Sequence, residues 1–333
     1  MASNLEILWQ FKADDEVVSS AVIGDGRVYV ASRGGTLYAL DHKTGAKIWS
    51  VSVDDGIDAS PILIPGSVVV GASDGVVRAY NRETGSVLWT FQTEDKVLAS
   101  ATYHSKTVAG PLLVVGSYDG KLYALEPTTG KLRWSHSTEN YVHASASVTA
   151  ELVVFGGCDG YLHLVSVKDG SEVRKRNLKS QVGVSPAIEG DQAYLGVYGN
   201  RFVRMRLSDA KVVWEYRDQN FPYLSPPALG RDAVYFGSRD RHLHAVSRDD
   251  GAPLWTFRTR GAVDGAPVLV DDKIVFGSTD GRLYLLRAAD GEKLWSYDIG
   301  GSISSTPAVV GGVVVIGSSD GSVYAFGTKK TEK

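Results

Sequence analysis

The sequence predicts an all-β chain folded as one eight-bladed β-propeller of four-stranded antiparallel blades, its ring closed by the N-terminal strand. Three observations predict it. The seven tryptophans, Trp9, Trp49, Trp89, Trp134, Trp214, Trp255 and Trp295, follow at spacings of 40, 40, 45, 80, 41 and 40. A unit of about 40 residues therefore repeats, with one tryptophan missing where Arg174 stands, and a sheet of four short strands fits that period. Second, a turn signal recurs between two apolar runs eight times: Gly34-Gly35, Asp74-Gly75, Asp119-Gly120, Asp159-Gly160, Gly199-Asn200, Asp240-Arg241, Asp280-Gly281 and Asp320-Gly321. Third, the ends complement each other. LEILWQFKA at the start offers only a fourth strand, whereas the last unit (TPAVV, VVVIGSS, SVYAFG) offers the first three. Pairing them removes two open sheet edges.

Each unit reads in the order A to D. In the second, ASPILI is strand A, VVVGAS strand B, VVRAYN strand C and SVLWTFQT strand D. The Asp-Gly pair is expected to supply two positive-φ residues to a tight B–C hairpin. Gly45, Gly85, Gly130, Gly170, Gly251 and Gly291 mark the C–D turns, and only Ala210, before Trp214, departs from that rule. The five extra residues between Trp89 and Trp134 fall in HSKTVAGP, the A–B turn of blade 3. Residues 1–13 form the outer strand of blade 8, the propeller occupies 1–328, and 329–333 are a polar tail.

Composition agrees with this reading and excludes several functions. The 333 residues include 37 glycines against 2 methionines, and 43% are hydrophobic, which suits many short strands around a real core. Lys and Arg total 35 against 38 Asp and Glu, so a net charge of −3 gives no general attraction to nucleic acid. No apolar run is long enough to span a membrane, so no direct membrane insertion is expected. Cys158 is the single cysteine, which rules out an intrachain disulfide and a cysteine-based zinc cluster. With no basic neighbour in sequence it reads as an inert thiol. The start, MASNLEILWQF, has no basic region, long apolar stretch or lipobox cysteine, so the chain as written is expected in the cytoplasm, or in the periplasm if an export signal has been trimmed.

The segments LYALDHKTGAKIW (37–49), LYALEPTTGKLRW (122–134) and LYLLRAADGEKLW (283–295) resemble the Ala-x-Asp-x-x-Thr-Gly-x-x-x-Trp docking motif of the quinoprotein-like, or PQQ-repeat, propellers. The resemblance covers essentially the whole chain. It implies that each indole packs against the neighbouring blade, a structural role. It also implies a choice between two branches. The dehydrogenases of the family hold pyrroloquinoline quinone with a vicinal-cysteine disulfide, a calcium-binding carboxylate and amide set, an aspartate base and long loops. The scaffolds, the BamB-like branch, are eight bare blades with a protein-docking face. One cysteine and almost no sequence beyond the blades place this chain with the scaffolds, so no cofactor and no catalytic residue are expected.

Positions that vary between blades on one face are the candidates for function. Before each strand A stands an apolar residue: Val17, Ile57, Val97, Val142, Val182, Tyr223, Val263 and Ile303. The residues on either side of it vary freely, as does one position of each B–C turn. Asp58, His143 and Asp264 are thereby expected at the channel mouth, with Arg33, Lys96, Tyr118, Tyr141, Tyr198 and Arg239 around them. Asp58, His143 and Asp264 are of ligand type, but they come from blades 2, 4 and 7 of a wide ring, so no metal is expected. Tyrosine and arginine are typical anchors for a protein or peptide partner. A second candidate is the basic edge of blades 4 and 5, Arg174, Lys175, Arg176 and Arg204, where nine Lys and Arg face five Asp and Glu between Lys168 and Lys211. It reads either as a docking edge for an acidic partner or as a degenerate, solvated repeat. If the family's packing holds, Arg174 and Arg204 belong to one blade interface. The sequence thus points to a monomeric, non-catalytic scaffold for a protein or peptide. The alternative is a small-ligand sensor or vestigial quinoprotein that binds a ligand at the channel mouth.

Overall fold

The computed structural model describes residues 1–328, and the segment read as a polar tail, 329–333, lies outside them. The described residues form eight four-stranded antiparallel sheets, the blades of an eight-bladed β-propeller. Seven sheets are built from four consecutive strands. The eighth takes its outer strand from the N-terminus, where Glu6–Lys12 pairs with Ser322–Gly327. No helix is long and apolar enough to cross a membrane.

The blades fall into two compact units. One comprises Met1–Val53 and the chain from Pro227 onward, which hold blades 1, 6, 7 and 8. The other, Asp54–Pro226, holds blades 2 to 5. Blade 3 shows how the second unit packs. Strand B (Gly110–Gly116) turns Leu113 and Val115 onto Val69, Val77 and Trp89 of blade 2, and Leu112 and Val114 onto Val153, Phe155 and Val165 of blade 4. Alternate residues thus serve two interfaces, so inner strands are apolar at every position instead of every second one.

The B–C turns differ from the expectation in one respect. Only the second residue of the turn has positive φ (Gly75 77°, Gly120 81°, Gly160 81°, Asn200 57°, Arg241 69°), while the residue before it does not. The aspartate is there for its carboxylate, which accepts the N–H two residues on, as Asp74 does from Val76 at 2.9 Å and Asp119 from Lys121 at 2.9 Å. The same carboxylate grips the side chain four residues ahead: Asp74 holds Arg78, Asp119 Tyr123, Asp159 His163, Asp240 His244 and Asp280 Tyr284. In blade 1 the turn carries Gly34, and Asp14 fills the place, accepting Ser32 and Thr36 hydroxyls at 2.5 Å.

Burial works against charge on Asp14, Asp74, Asp159, Asp240 and Asp320, but their hydrogen bonds and ion pairs outweigh it and hold all five below the ordinary carboxylate pKa. A depressed folded-state pKa contributes stability above the unfolded value, about 3.9, and that stability is lost as pH falls through the folded value. The urea midpoint is therefore expected to decline as the pH is lowered from about 5 towards 2. A midpoint flat over that range would contradict these assignments.

In every blade the C–D ladder skips one residue of strand D just before the tryptophan position, as at Ile48, Leu88 and Arg133. Such a bulge re-aims the side chain that follows. Four indoles then reach into the next blade: Trp9 Nε1 donates to the carbonyl of His42 at 2.9 Å, Trp89 to Pro127 at 3.0 Å, Trp134 to Val167 at 3.0 Å and Trp255 to Ala288 at 3.1 Å. Each ring lies on a positive-φ glycine of that blade, respectively Gly45, Gly130, Gly170 and Gly291.

Candidate functional site

The variable positions are brought together by the backbone. In seven blades the N–H of the variable B–C residue donates to the carbonyl just before the apolar residue that opens strand A. Among these are Arg33 to Glu16 at 2.8 Å, Tyr118 to Lys96 at 2.9 Å, Cys158 to Tyr141 at 3.0 Å and Tyr198 to Gln181 at 3.1 Å. Loop D–A and turn B–C therefore meet at the same end of these seven blades, and side chains that are free to vary are displayed at a fixed height.

Within Asp54–Pro226 this places an aromatic cluster. Tyr118 stacks on Tyr141 with ring centroids 4.9 Å apart, and its hydroxyl meets His143 Nδ1 at 2.6 Å. Desolvation holds the His143 pKa below its ordinary value, which favours the neutral imidazole. The Tyr118 pKa is raised by desolvation, then by Cys158, Tyr198, Asp58 and Tyr141, which puts those four groups within electrostatic reach. Tyr141 is 48% exposed and Tyr198 41%, and the Tyr198 ring covers Gly183. Lys96 is exposed and Asp58 half-buried. Burial, then Asp159, raises the Cys158 thiol, which keeps it protonated and unreactive.

In the other unit the candidates are ion-paired. Arg33 meets Glu16 at 2.8 Å, and Arg239 meets Asp264 at 3.1 Å. Both pairs are largely solvated and contribute little to stability.

The basic edge divides differently from the expectation. Strand D of blade 4 (Glu172–Asn177) is exposed at all six positions, so Arg174, Lys175 and Arg176 face solvent. Arg174 borders a cavity of about 730 Å³ between blades 4 and 5, together with Leu152, Val173, Asp191, Leu207 and Ser208. The A–B insertion of blade 3 reaches the same cavity through Val108, whose N–H donates to Ala150 at 2.8 Å. Arg204 does not line it. That residue pairs across the strands with Trp214, bonds Gln192 at 2.9 Å and lies over the Tyr194 ring of its own blade. The residue that answers Arg174 is Ala210, which stands in blade 5 where Gly170 stands in blade 4.

A family model described as outer membrane protein assembly factor BamB matches residues 4–158 and 222–332. The chain belongs to this family. The unmatched stretch, 159–221, covers most of blades 4 and 5, where the repeat departs most from its own pattern. BamB of Marinobacter adhaerens is 34% identical over 104 residues, an alignment of 31% of this chain and 26% of that protein, so the chain spans about a quarter of the relative's length. Among solved structures, BamB from Moraxella catarrhalis is similar with a TM-score of 0.81 at 20% identity, over 98% of this chain and 100% of that one. The computationally designed Ika8 protein gives 0.85 at 17% identity, over 97% and 99%. Quinohemoprotein alcohol dehydrogenase from Comamonas testosteroni gives 0.83 at 14% identity, over 99% of this chain and 78% of that one. At these identities the structures share the fold and no more.

Proposed function

We propose that this chain is a non-catalytic scaffold that docks a protein or peptide on the end of its blades where D–A loops and B–C turns meet. The observation that carries this reading is the Tyr118–Tyr141 stack with His143. It is an exposed, pre-organised aromatic cluster at positions the repeat leaves free, and rigid aromatic anchors of this kind supply most of the binding energy at protein interfaces. The family description, an outer-membrane protein assembly factor, supports a protein as the occupant and an assembly reaction as its setting. The residues present do not fit pyrroloquinoline quinone as that branch holds it. The single cysteine cannot make the disulfide that the quinone-binding branch implies, and Asp264 is engaged by Arg239.

The test is a cross-linking capture from the source organism with the wild type beside a Tyr118→Ser, Tyr141→Ser, His143→Ala variant. Exposed and half-buried side chains are being changed, so the unfolding free energy should stay within about 1 kcal/mol. Capture of a defined partner is expected to fall at least tenfold, since one hot-spot residue alone is worth about 2 kcal/mol. Equal capture by both proteins would refute docking at this cluster.

A further inference from the structure

We propose that His136, His163 and Glu172 form a binding site for a divalent transition metal of the zinc, cobalt or nickel class, set between blades 3 and 4. His136 lies on strand D of blade 3 (Leu132–Ser137), His163 on strand C of blade 4 (Tyr161–Ser166) and Glu172 on its strand D (Glu172–Asn177). One ligand-type atom of each lies within 4.8 Å of the other two. A cavity of about 120 Å³ opens onto them, bordered also by Asp159, Thr138 and Lys175.

The hydrogen bonds around the imidazoles prepare both for a metal. His163 is 4% exposed, and its Nε2 sits 2.8 Å from the Asp159 carboxylate, whose side chain is itself only 3% exposed. That contact fixes the proton on Nε2 and leaves Nδ1 with its lone pair. Among the described residues, Nδ1 is buried without any hydrogen-bond partner. An unpaired buried acceptor costs roughly 1–3 kcal/mol, so something should satisfy it. Its neighbour is Glu172, with a carboxylate oxygen 3.6 Å away. That is too long for a hydrogen bond but close to the roughly 3.3 Å that separates two ligands bound tetrahedrally to one zinc-sized ion. His136 Nδ1 lies 2.9 Å from the Gly170 carbonyl, which places its proton there and leaves Nε2 with a lone pair for a metal. An imidazole whose far nitrogen gives its proton to a carboxylate or carbonyl is the usual arrangement around protein-bound metals. Two nitrogens and one carboxylate suit borderline transition metals and not calcium or magnesium. A water would complete four-coordination. Lys175, 3.7 Å from Glu172 and half-exposed, can swing away into solvent.

The repeat shows what the fold can use in place of this histidine pair, although blade 6 also carries a histidine, His244, at the strand C place. At three other interfaces the residue two after the tryptophan position meets the strand C residue of the next blade as an aromatic edge contact. Phe11 meets Tyr38 at 5.1 Å and 64°, Phe91 meets Tyr123 at 5.2 Å and 64°, and Phe257 meets Tyr284 at 5.5 Å and 66°. His136 and His163 occupy the same two places at 5.7 Å and 62°. Asp159 would hold a tyrosine as Asp119 holds Tyr123, so the fold needs neither histidine.

This gives a control that should fold. The double substitution His136→Phe, His163→Tyr restores the pair used elsewhere in the molecule, and Glu172→Gln changes one exposed ligand. Co²⁺ is titrated into the full chain and followed by its visible absorption and by calorimetry, with Zn²⁺ as competitor and Mg²⁺ as control. One equivalent of Co²⁺ is expected to bind, to be displaced by Zn²⁺ and to be untouched by Mg²⁺. The double variant should bind at least 100-fold more weakly with an unchanged fold by circular dichroism, and Glu172→Gln should bind tenfold or more weakly. No stoichiometric binding by the wild type, or equal binding by wild type and double variant, would overturn the proposal. The outcome is independent of whether a protein docks at Tyr118 and Tyr141.

Discussion

Removal of residues 1–13 is expected to cost this protein most of its stability. Those residues are the outer strand of blade 8, paired with Ser322–Gly327 from Lys12 to Glu6. They bury Leu5, Trp9 and Ala13, and the Trp9 indole bonds the His42 carbonyl on blade 1 while Lys12 bonds the Asp320 carbonyl. Deleting a buried tryptophan side chain alone costs about 3–5 kcal/mol. Each ladder hydrogen bond adds about 1 kcal/mol. The total rivals the roughly 5–15 kcal/mol that holds an ordinary domain together. It also bares strand Ser322–Gly327, which is buried at every position, as an apolar edge open to pairing with other chains. The truncated chain should therefore be recovered as aggregate, or unfold at a far lower urea concentration, and Trp9→Ala should give a milder loss of about 3–5 kcal/mol. A soluble truncation with an unchanged midpoint would disprove the closure.

That closure was legible in the sequence because a strand missing at one end and a surplus strand at the other are both visible against a 40-residue period. That Tyr118, Tyr141 and His143 belong to the variable loop end of their blades was legible for a similar reason, since positions that vary while their neighbours stay apolar are free of the core, but the contact among these three was not. Apart from the tryptophan packing that the family resemblance implied, contacts between one blade and the next could not be read. The bulge before each tryptophan position cannot be read from the residue it skips, since Ile48 and Leu88 are as apolar as an ordinary strand residue and Arg133 is charged. His136 and His163 stand 27 residues apart, in different strands of different blades, and look like unrelated polar substitutions. They become a pair only once Phe91 is seen to touch Tyr123. Arg174 and Arg204 illustrate the opposite error. Both break the repeat and both are basic, but their sheets turn them to different surroundings.

The break at Arg174 yields the second large effect, through the glycine that lies under the indoles of Trp9, Trp89, Trp134 and Trp255. A Cβ built on Gly45 would stand 2.6 Å from Trp9 Cε3, and one on Gly291 would stand 2.6 Å from Trp255 Cε3. Both glycines also have positive φ, 72° and 73°. Gly291→Ala therefore incurs about 1–2 kcal/mol of backbone strain and about 1–3 kcal/mol of overpacking, for a loss near 2–5 kcal/mol in urea unfolding. Ala210 holds the same backbone, with φ 53°, and by the register of the repeat the residue that blade 4 offers it is Arg174 instead of tryptophan. Ala210→Gly should accordingly relieve strain and gain up to about 1 kcal/mol. Arg174→Trp alone should gain little, because its ring meets the Ala210 methyl. Combined with Ala210→Gly, the indole can settle as Trp134 does on Gly170, towards the Leu207 carbonyl that answers Val167. The pair should stabilise the chain by about 2 kcal/mol beyond the sum of the singles, a coupling well above the 0.3–0.5 kcal/mol scatter of independent sites. Additive effects would mean that Ala210 and Arg174 changed independently. Coupling of that size would show that the loss of one tryptophan both opened the cavity between blades 4 and 5 and released the glycine beneath it.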